Sequence, residues 1–173
     1  MLVRQVARNL HRRKAKGVLL KLDITKAFDS LSWPFLFEVL RAKGFSERWI
    51  SWIATLLTTA SYRVIVNDCA GEKFMHAKGL RQGDSISPLL FVITMDILTH
   101  IIIKAHEAGV MSPINGCSPV QRLSLYADDV VLFIKPTTTD IFYVKELLQI
   151  FGQASGLKVN FPNPQQSLSA LRR

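Results

Sequence analysis

The chain has 173 residues, 49% of them hydrophobic and 20% charged, with 22 Lys and Arg against 13 Asp and Glu and a formal net charge of +9. This composition excludes a disordered chain and supplies enough apolar residues for one core; the basic balance favours a polyanionic partner, nucleic acid ahead of a membrane surface. The two cysteines, Cys69 and Cys117, form no CxxC pair, so no zinc site is expected and both thiols are expected to be reduced inside the cell.

The N-terminal stretch carries Arg4, Arg8, Arg12, Arg13, Lys14 and Lys16, and no acid precedes Asp23. Transit peptides and nuclear signals share such charge. However, Leu2, Val6 and Leu10 recur at helical spacing and nothing resembles a cleavage site, so the reading is an ordinary helix. No apolar core behind a basic start points to secretion. The expected location is intracellular, nuclear or cytoplasmic.

Gly17 to Ile24 reads as a short buried strand. It carries Asp23 near its end, and a carboxylate there is costly to bury unpaired, so it should face a cleft, a cation or solvent. Ser32-Trp33-Pro34 opens a helix with Phe35, Leu36, Val39 and Leu40 on its apolar face and Gly44 at its end. Ser46 caps a second helix carrying Trp49, Ile50, Ile53, Leu56 and Leu57. Residues 61–66 and 73–77 read as a hairpin around Asn67–Gly71. Residues 78–88, rich in Gly, Ser and charge, read as a loop. A long apolar helix starts near Ser87-Pro88, with Leu90, Ile93, Ile97 and Ile101 at helical spacing; Asp96, His100 and Lys104 argue for a core helix rather than a membrane span.

After a loop with Gly109, Pro113, Gly116 and Pro119, residues 122–135 read as a tight hairpin centred on Tyr126-Ala127-Asp128-Asp129. Favoured two-residue turns use Gly to reach positive φ. Here two adjacent carboxylates stand at the tip without one. They repel each other unless a cation neutralises them, so a divalent ion is expected. A helix over 139–154 and a strand over 155–160 follow, after which Phe161 to Gln166 lose all pattern. There is no repeat and no interdomain linker.

This order of elements reads as an α+β sheet with helices on one face. If the Asp23 strand neighbours the Asp128-Asp129 hairpin, three carboxylates converge at one end of the sheet. Hard oxygen donors suit Mg²⁺ or Mn²⁺ rather than zinc, and two such ions can activate an attacking oxygen and stabilise a leaving phosphate oxygen. With the basic charge, the residues read as metal-dependent phosphoryl or nucleotidyl transfer on a nucleic acid. Each residue also has a plainer reading on its own. Phe28 would pack in the core, Asp29 would hydrogen-bond the next turn, and Asp128-Asp129 would be a solvated tip. Arg81-Gln82-Gly83 would be an ordinary loop, and Trp33, Trp49 and Trp52 would be core anchors.

Four stretches also carry a resemblance: Lys21-Leu-Asp-Ile-Thr-Lys-Ala-Phe-Asp-Ser30, Gly79-Leu-Arg-Gln-Gly-Asp-Ser-Ile-Ser-Pro-Leu-Leu-Phe91, Tyr126-Ala-Asp-Asp129 and Ser155-Gly-Leu-Lys-Val-Asn160. In this order they resemble the palm motifs of reverse transcriptases of non-LTR (LINE-type) retrotransposons, in particular the plant kind, over residues 1–160. The resemblance implies a polymerase palm, an antiparallel sheet with helices packed on one face. It implies an RNA-directed DNA polymerase that joins a dNTP to a DNA primer 3′-hydroxyl on an RNA template, with two Mg²⁺ or Mn²⁺ ions and no membrane or zinc. Asp23 and Asp128 would be the principal metal ligands and Asp129 would complete the acidic cluster. Phe28 would be the ring that excludes a ribose 2′-hydroxyl. Gln82 and Gly83 would line the nucleotide and template pocket, Arg81 would meet phosphate, and Tyr126 would pack near the primer end.

The sequence departs from the family pattern in places. The basic fingers region expected before the first motif and the thumb expected after the last fall largely outside the chain. The Lys-Ser pair expected after Asn160 is replaced by Phe161-Pro162, with residues 161–173 an irregular tail; Lys158 is the nearest substitute for that lysine. Ser85-Ile86 stand where Pro-Leu is usual. The chain therefore reads as a truncated frame from a decayed element. Two alternatives follow. One is a non-catalytic RNA-binding relic. The other is a nucleotidyl cyclase-type palm, against which the Arg81-Gln82-Gly83-Asp84 loop argues.

Overall fold

The computed structural model describes residues 2–15, 17–126 and 129–161. Strand β1, Val18–Thr25, alternates strictly: Val18, Leu20, Leu22 and Ile24 are buried while Lys21 and Asp23 are exposed. Successive side chains leave a strand on opposite faces, so this pattern marks one packed face and one open one. β1 lies inside a four-stranded sheet ordered β4-β5-β1-β6, where β4 is Leu123–Tyr126, β5 Asp129–Ile134 and β6 Lys158–Asn160. Every neighbouring pair is antiparallel.

Three helices cover the packed face: α3 (Trp33–Ala42), α5 (Ser87–Glu107) and α6 (Thr138–Ser155). Leu22, Leu132 and Ile134 of the sheet meet Leu36, Leu40, Leu98, Ile102 and Val144 of these helices in one core, all fully shielded from water. α4, Glu47–Thr58, packs outside α3 and begins as its sequence requires, with the Ser46 hydroxyl accepting from the Trp49 amide. By length and composition α5 is apolar enough to cross a membrane. In the fold, its Leu90, Phe91, Met95 and Leu98 are buried, and Asp96 pairs with Lys43 at the end of α3.

The α+β palm-like arrangement, an antiparallel sheet with helices packed on one face, holds for these elements. α1, Leu2–Arg12, is an addition. Its Val6 and Leu10 are buried against Leu19, Val131 and Phe133, together with Ile114 and Cys117. Leu19, Val131 and Phe133 belong to the opposite face of β1 and β5, so α1 covers one end of the face that the other helices leave open. The loop beneath is pinned by a buried polar group. The fully buried Arg122 guanidinium donates to the Ser112 carbonyl, and the Ser112 hydroxyl donates to Asp140 Oδ1 at 2.9 Å. Burial pulls the Arg122 guanidinium below its usual range, and the nearby Cys117 and Asp140 oppose that shift.

Two expectations need correction. The first concerns the hairpin expected to turn over Asn67–Gly71. It turns over two residues: β2 is Ser61–Val66 and β3 is Cys69–Met75. Asn67 and Asp68 both take left-handed φ, 49° and 61°, a conformation these two residue types tolerate better than other side chains. The second concerns Asp129, expected at a hairpin tip. It is the first residue of β5 and pairs with Tyr126. Ala127 and Asp128 lie outside the described residues, as do the side chains of Tyr126 and Asp129.

Candidate active site

The site is built at the end of the open face that α1 does not cover. Asp23 stands there with its side chain exposed. Its register partners are Asp129 on one side and Asn160 on the other. The Asn160 amide nitrogen donates to Asp23 Oδ2 at 3.4 Å and to Thr25 Oγ1 at 2.8 Å, holding the carboxylate from the β6 side. The expectation that the Asp23 strand neighbours the carboxylate hairpin is therefore met at the level of strand pairing for Asp23 and Asp129. Asp128 falls outside the described residues. Among the described residues no three His, Cys, Asp or Glu side chains form a metal-holding group. The donor chemistry present, an exposed carboxylate with oxygen to spare beside a second aspartate position, fits a hard divalent cation rather than zinc.

A clasp of backbone contacts draws three separated stretches to this end of β1. After β1 the chain passes through Lys26, in the left-handed region at φ 48°, into the single turn α2, Ala27–Ser30. The Leu80 amide donates to the Phe28 carbonyl at 2.6 Å and the Gly79 amide to the Leu31 carbonyl at 2.7 Å. Gly79 has φ +83°, and a Cβ there would lie 2.7 Å from the Asp29 carbonyl oxygen, so only glycine allows this approach. The Trp33 indole donates to the Gly79 carbonyl at 2.6 Å. From the other side the Ser32 amide donates to the Ser155 carbonyl at 2.8 Å. Gly156, at φ +76°, leaves room for the Ser30 carbonyl, which a Cβ would meet at 2.7 Å.

The remaining expected residues hang on this clasp. Phe28 is half-buried and stacked on Phe91 of α5, with ring centroids 5.0 Å apart and planes at 25°. Asp29 does not bond the turn that follows it; its Oδ1 accepts from Gln82 Nε2 at 3.1 Å, tying α2 to the exposed loop. Arg81 is half-buried, with Nε 3.6 Å from Asp84 Oδ2. Gly83 is exposed at φ +98° with nothing within 4 Å of a Cβ position, so its backbone is open to approach. Tyr126 is placed by register alone, opposite Asp129. Lys158 stands opposite Thr25 and is exposed.

Sequence reasoning gave no role to Asn160, Phe91 or Trp33 as site-forming residues. Asn160 lies inside a quoted motif, and pairing of the last strand with β1 was the signal that would have found it. Trp52, expected in the core, is 58% exposed, and the Arg48 guanidinium lies 5.1 Å from its ring centre. α4 turns Ile50, Ile53 and Leu57 inward, with Trp49 partly buried against the same core, and leaves Trp52 on its outer side.

The family model described as "Reverse transcriptase (RNA-dependent DNA polymerase)" matches residues 2–162. The chain belongs to this family. The match bears out the resemblance to non-LTR retrotransposon reverse transcriptases. So do the relatives it is similar to. The retrovirus-related Pol polyprotein from the type-2 retrotransposable element R2DM of Drosophila melanogaster is 29% identical over 155 residues, 90% of this chain and 14% of that protein. The Pol polyprotein from the type-1 retrotransposable element R2 of Popillia japonica is 32% identical over 124 residues, 71% of this chain and 20% of that protein. The chain thus spans a fifth or less of these relatives' length. Among solved structures, a telomerase from Candida albicans in complex with a fragment of telomeric RNA is similar over 94% of this chain and 30% of its own, with a TM-score of 0.65. At 14% identity that likeness is one of fold alone.

Proposed function

We propose that this reverse transcriptase domain is the palm of an RNA-directed DNA polymerase that joins a dNTP to a primer 3′-hydroxyl on an RNA template. The register pairing of Asp23 with Asp129, at the end of the open face that α1 leaves uncovered, is the observation that carries this reading. Positions opposite each other in an antiparallel pair share a face, so the Asp23 and Asp129 positions stand side by side on one face, with Asp128 the preceding residue in the chain. Asp23, Asp128 and Asp129 would hold two Mg²⁺ or Mn²⁺ ions, which when bound activate an attacking hydroxyl and stabilise charge on a leaving phosphate oxygen.

The chain's own residues do the positioning. Asn160 orients the Asp23 carboxylate through its amide. Phe28, backed by Phe91, presents a ring edge that excludes a ribose 2′-hydroxyl. Gln82 and the open backbone of Gly83 line the nucleotide, Arg81 meets phosphate when it exchanges Asp84 for the ligand, and Tyr126 packs near the primer end. Primer extension on an RNA template, with dNTPs and Mg²⁺ or Mn²⁺, tests the reading. Incorporation that disappears in Asp128→Asn is expected. No incorporation above that control, with salt-dependent RNA binding retained, would leave only an RNA-binding domain.

A further inference from the structure

α1 places a stripe of cations on the site's own face of the sheet. Val6 and Leu10 are taken up by Leu19, Val131 and Phe133, which fixes the rest of the helix to look outward. Arg4, Arg8 and Arg12 are exposed and recur every four residues, so they form one row with about 6 Å of helix rise between neighbours. Together with Gln5 and Asn9 they line one wall of a surface cavity. Asn9 Oδ1 accepts from Arg12 Nη2 at 3.4 Å, and among the described residues no carboxylate pairs with any of the three arginines. The sequence contains no acid before Asp23. The row's potential is therefore uncompensated within the helix.

The occupant follows from the side chains. Guanidinium forks bind phosphate oxygens in pairs, and the intervening amides add further donors. A helix that lies on a bilayer needs a free apolar face, and here that face is already buried in the sheet. Leu19, under α1, and Asp23 lie four residues apart on the same face of β1, a separation of about 13 Å. A polynucleotide strand reaching Asp23 would pass the arginine row within a few nucleotides. We propose that Arg4, Arg8 and Arg12 bind the phosphodiester backbone of the template strand beside the site, an assignment that rests on the polymerase reading for the strand's identity.

The test is fluorescence anisotropy of the whole chain with a labelled, unstructured RNA oligonucleotide at a series of salt concentrations. Each single-strand phosphate contact contributes about 0.7 to the slope of log affinity against log salt. Arg4→Gln/Arg8→Gln/Arg12→Gln is expected to lower the slope by about 2, and Arg8→Gln alone, the milder change, by about 0.7. Arg48→Gln/Lys73→Gln/Lys145→Gln removes the same charge from α4, β3 and α6 and is expected to leave the slope nearly unchanged. Equal losses in the two triple variants, or an unchanged slope in the Arg8→Gln and stripe variants, would overturn the proposal. So would binding to phosphatidylserine vesicles that the stripe variant abolishes while its RNA slope stays that of the wild type. The two readings fail separately. A stripe-dependent slope without dNTP incorporation removes the polymerase and keeps the contact. Incorporation with a slope that ignores the stripe removes the contact alone.

Discussion

The two faces of β1 set the fold and the chemistry side by side on one strand. Leu20, Leu22 and Ile24 are buried under α3, α5 and α6, whereas Lys21 and Asp23 are exposed on the opposite face. One residue step separates a side chain that holds the domain together from one that works outside it. Period-two alternation thus lets a single strand be apolar enough to pack and acidic enough to present a carboxylate without burying its charge. Substitutions on the two faces should accordingly separate stability from activity.

The largest effect on stability is expected from Leu22→Ala. It removes a fully shielded side chain from the middle of the core and should cost about 2–5 kcal/mol in urea unfolding. The clasp blurs the division, because it is both structural and adjacent to the site. Gly79→Ala puts a Cβ against the Asp29 carbonyl in a left-handed conformation and should cost about 2 kcal/mol or more. If primer extension survives at full rate in a folded Gly79→Ala protein, the loop over 79–83 is not part of the site. Trp33→Phe keeps the ring in the core but leaves the Gly79 carbonyl without its indole donor. About 1–3 kcal/mol is expected, again by urea unfolding.

Much of this was legible in the sequence where periodicity is long. α3, α4, α5 and α6 all lie within a few residues of where apolar spacing puts them, and β1 is bounded by its own alternation. The Asp23–Asp129 neighbourhood was legible only as a condition, because strand pairing is not written in either strand alone. α2 was invisible: a single turn entered through a left-handed Lys26 carries no period. The two-residue turn at Asn67-Asp68 was hidden because neither residue is glycine. The seat of α1 was hidden for a different reason. An amphipathic helix announces that it has an apolar face, but not which surface receives it.

The smallest effect probes that seat. Cys69 is exposed and Cys117 is buried beneath α1. Burial pushes the Cys117 thiol above its usual range, opposed by Arg122. The folded chain disfavours the thiolate, so its contribution is fully present below the unfolded thiol's pKa and is lost as pH rises above it. At pH 8, iodoacetamide should modify Cys69 quickly and Cys117 only as the domain opens. Equal rates would mean that α1 does not cover this end of the sheet.

The division between the faces is tested most directly by Asp23→Asn, assayed in parallel for primer extension on RNA and for urea unfolding. The account predicts that incorporation falls to background while stability stays within about 0.5 kcal/mol of the wild type, since an exposed side chain carries little of the fold. Wild-type incorporation by a folded Asp23→Asn protein would contradict it.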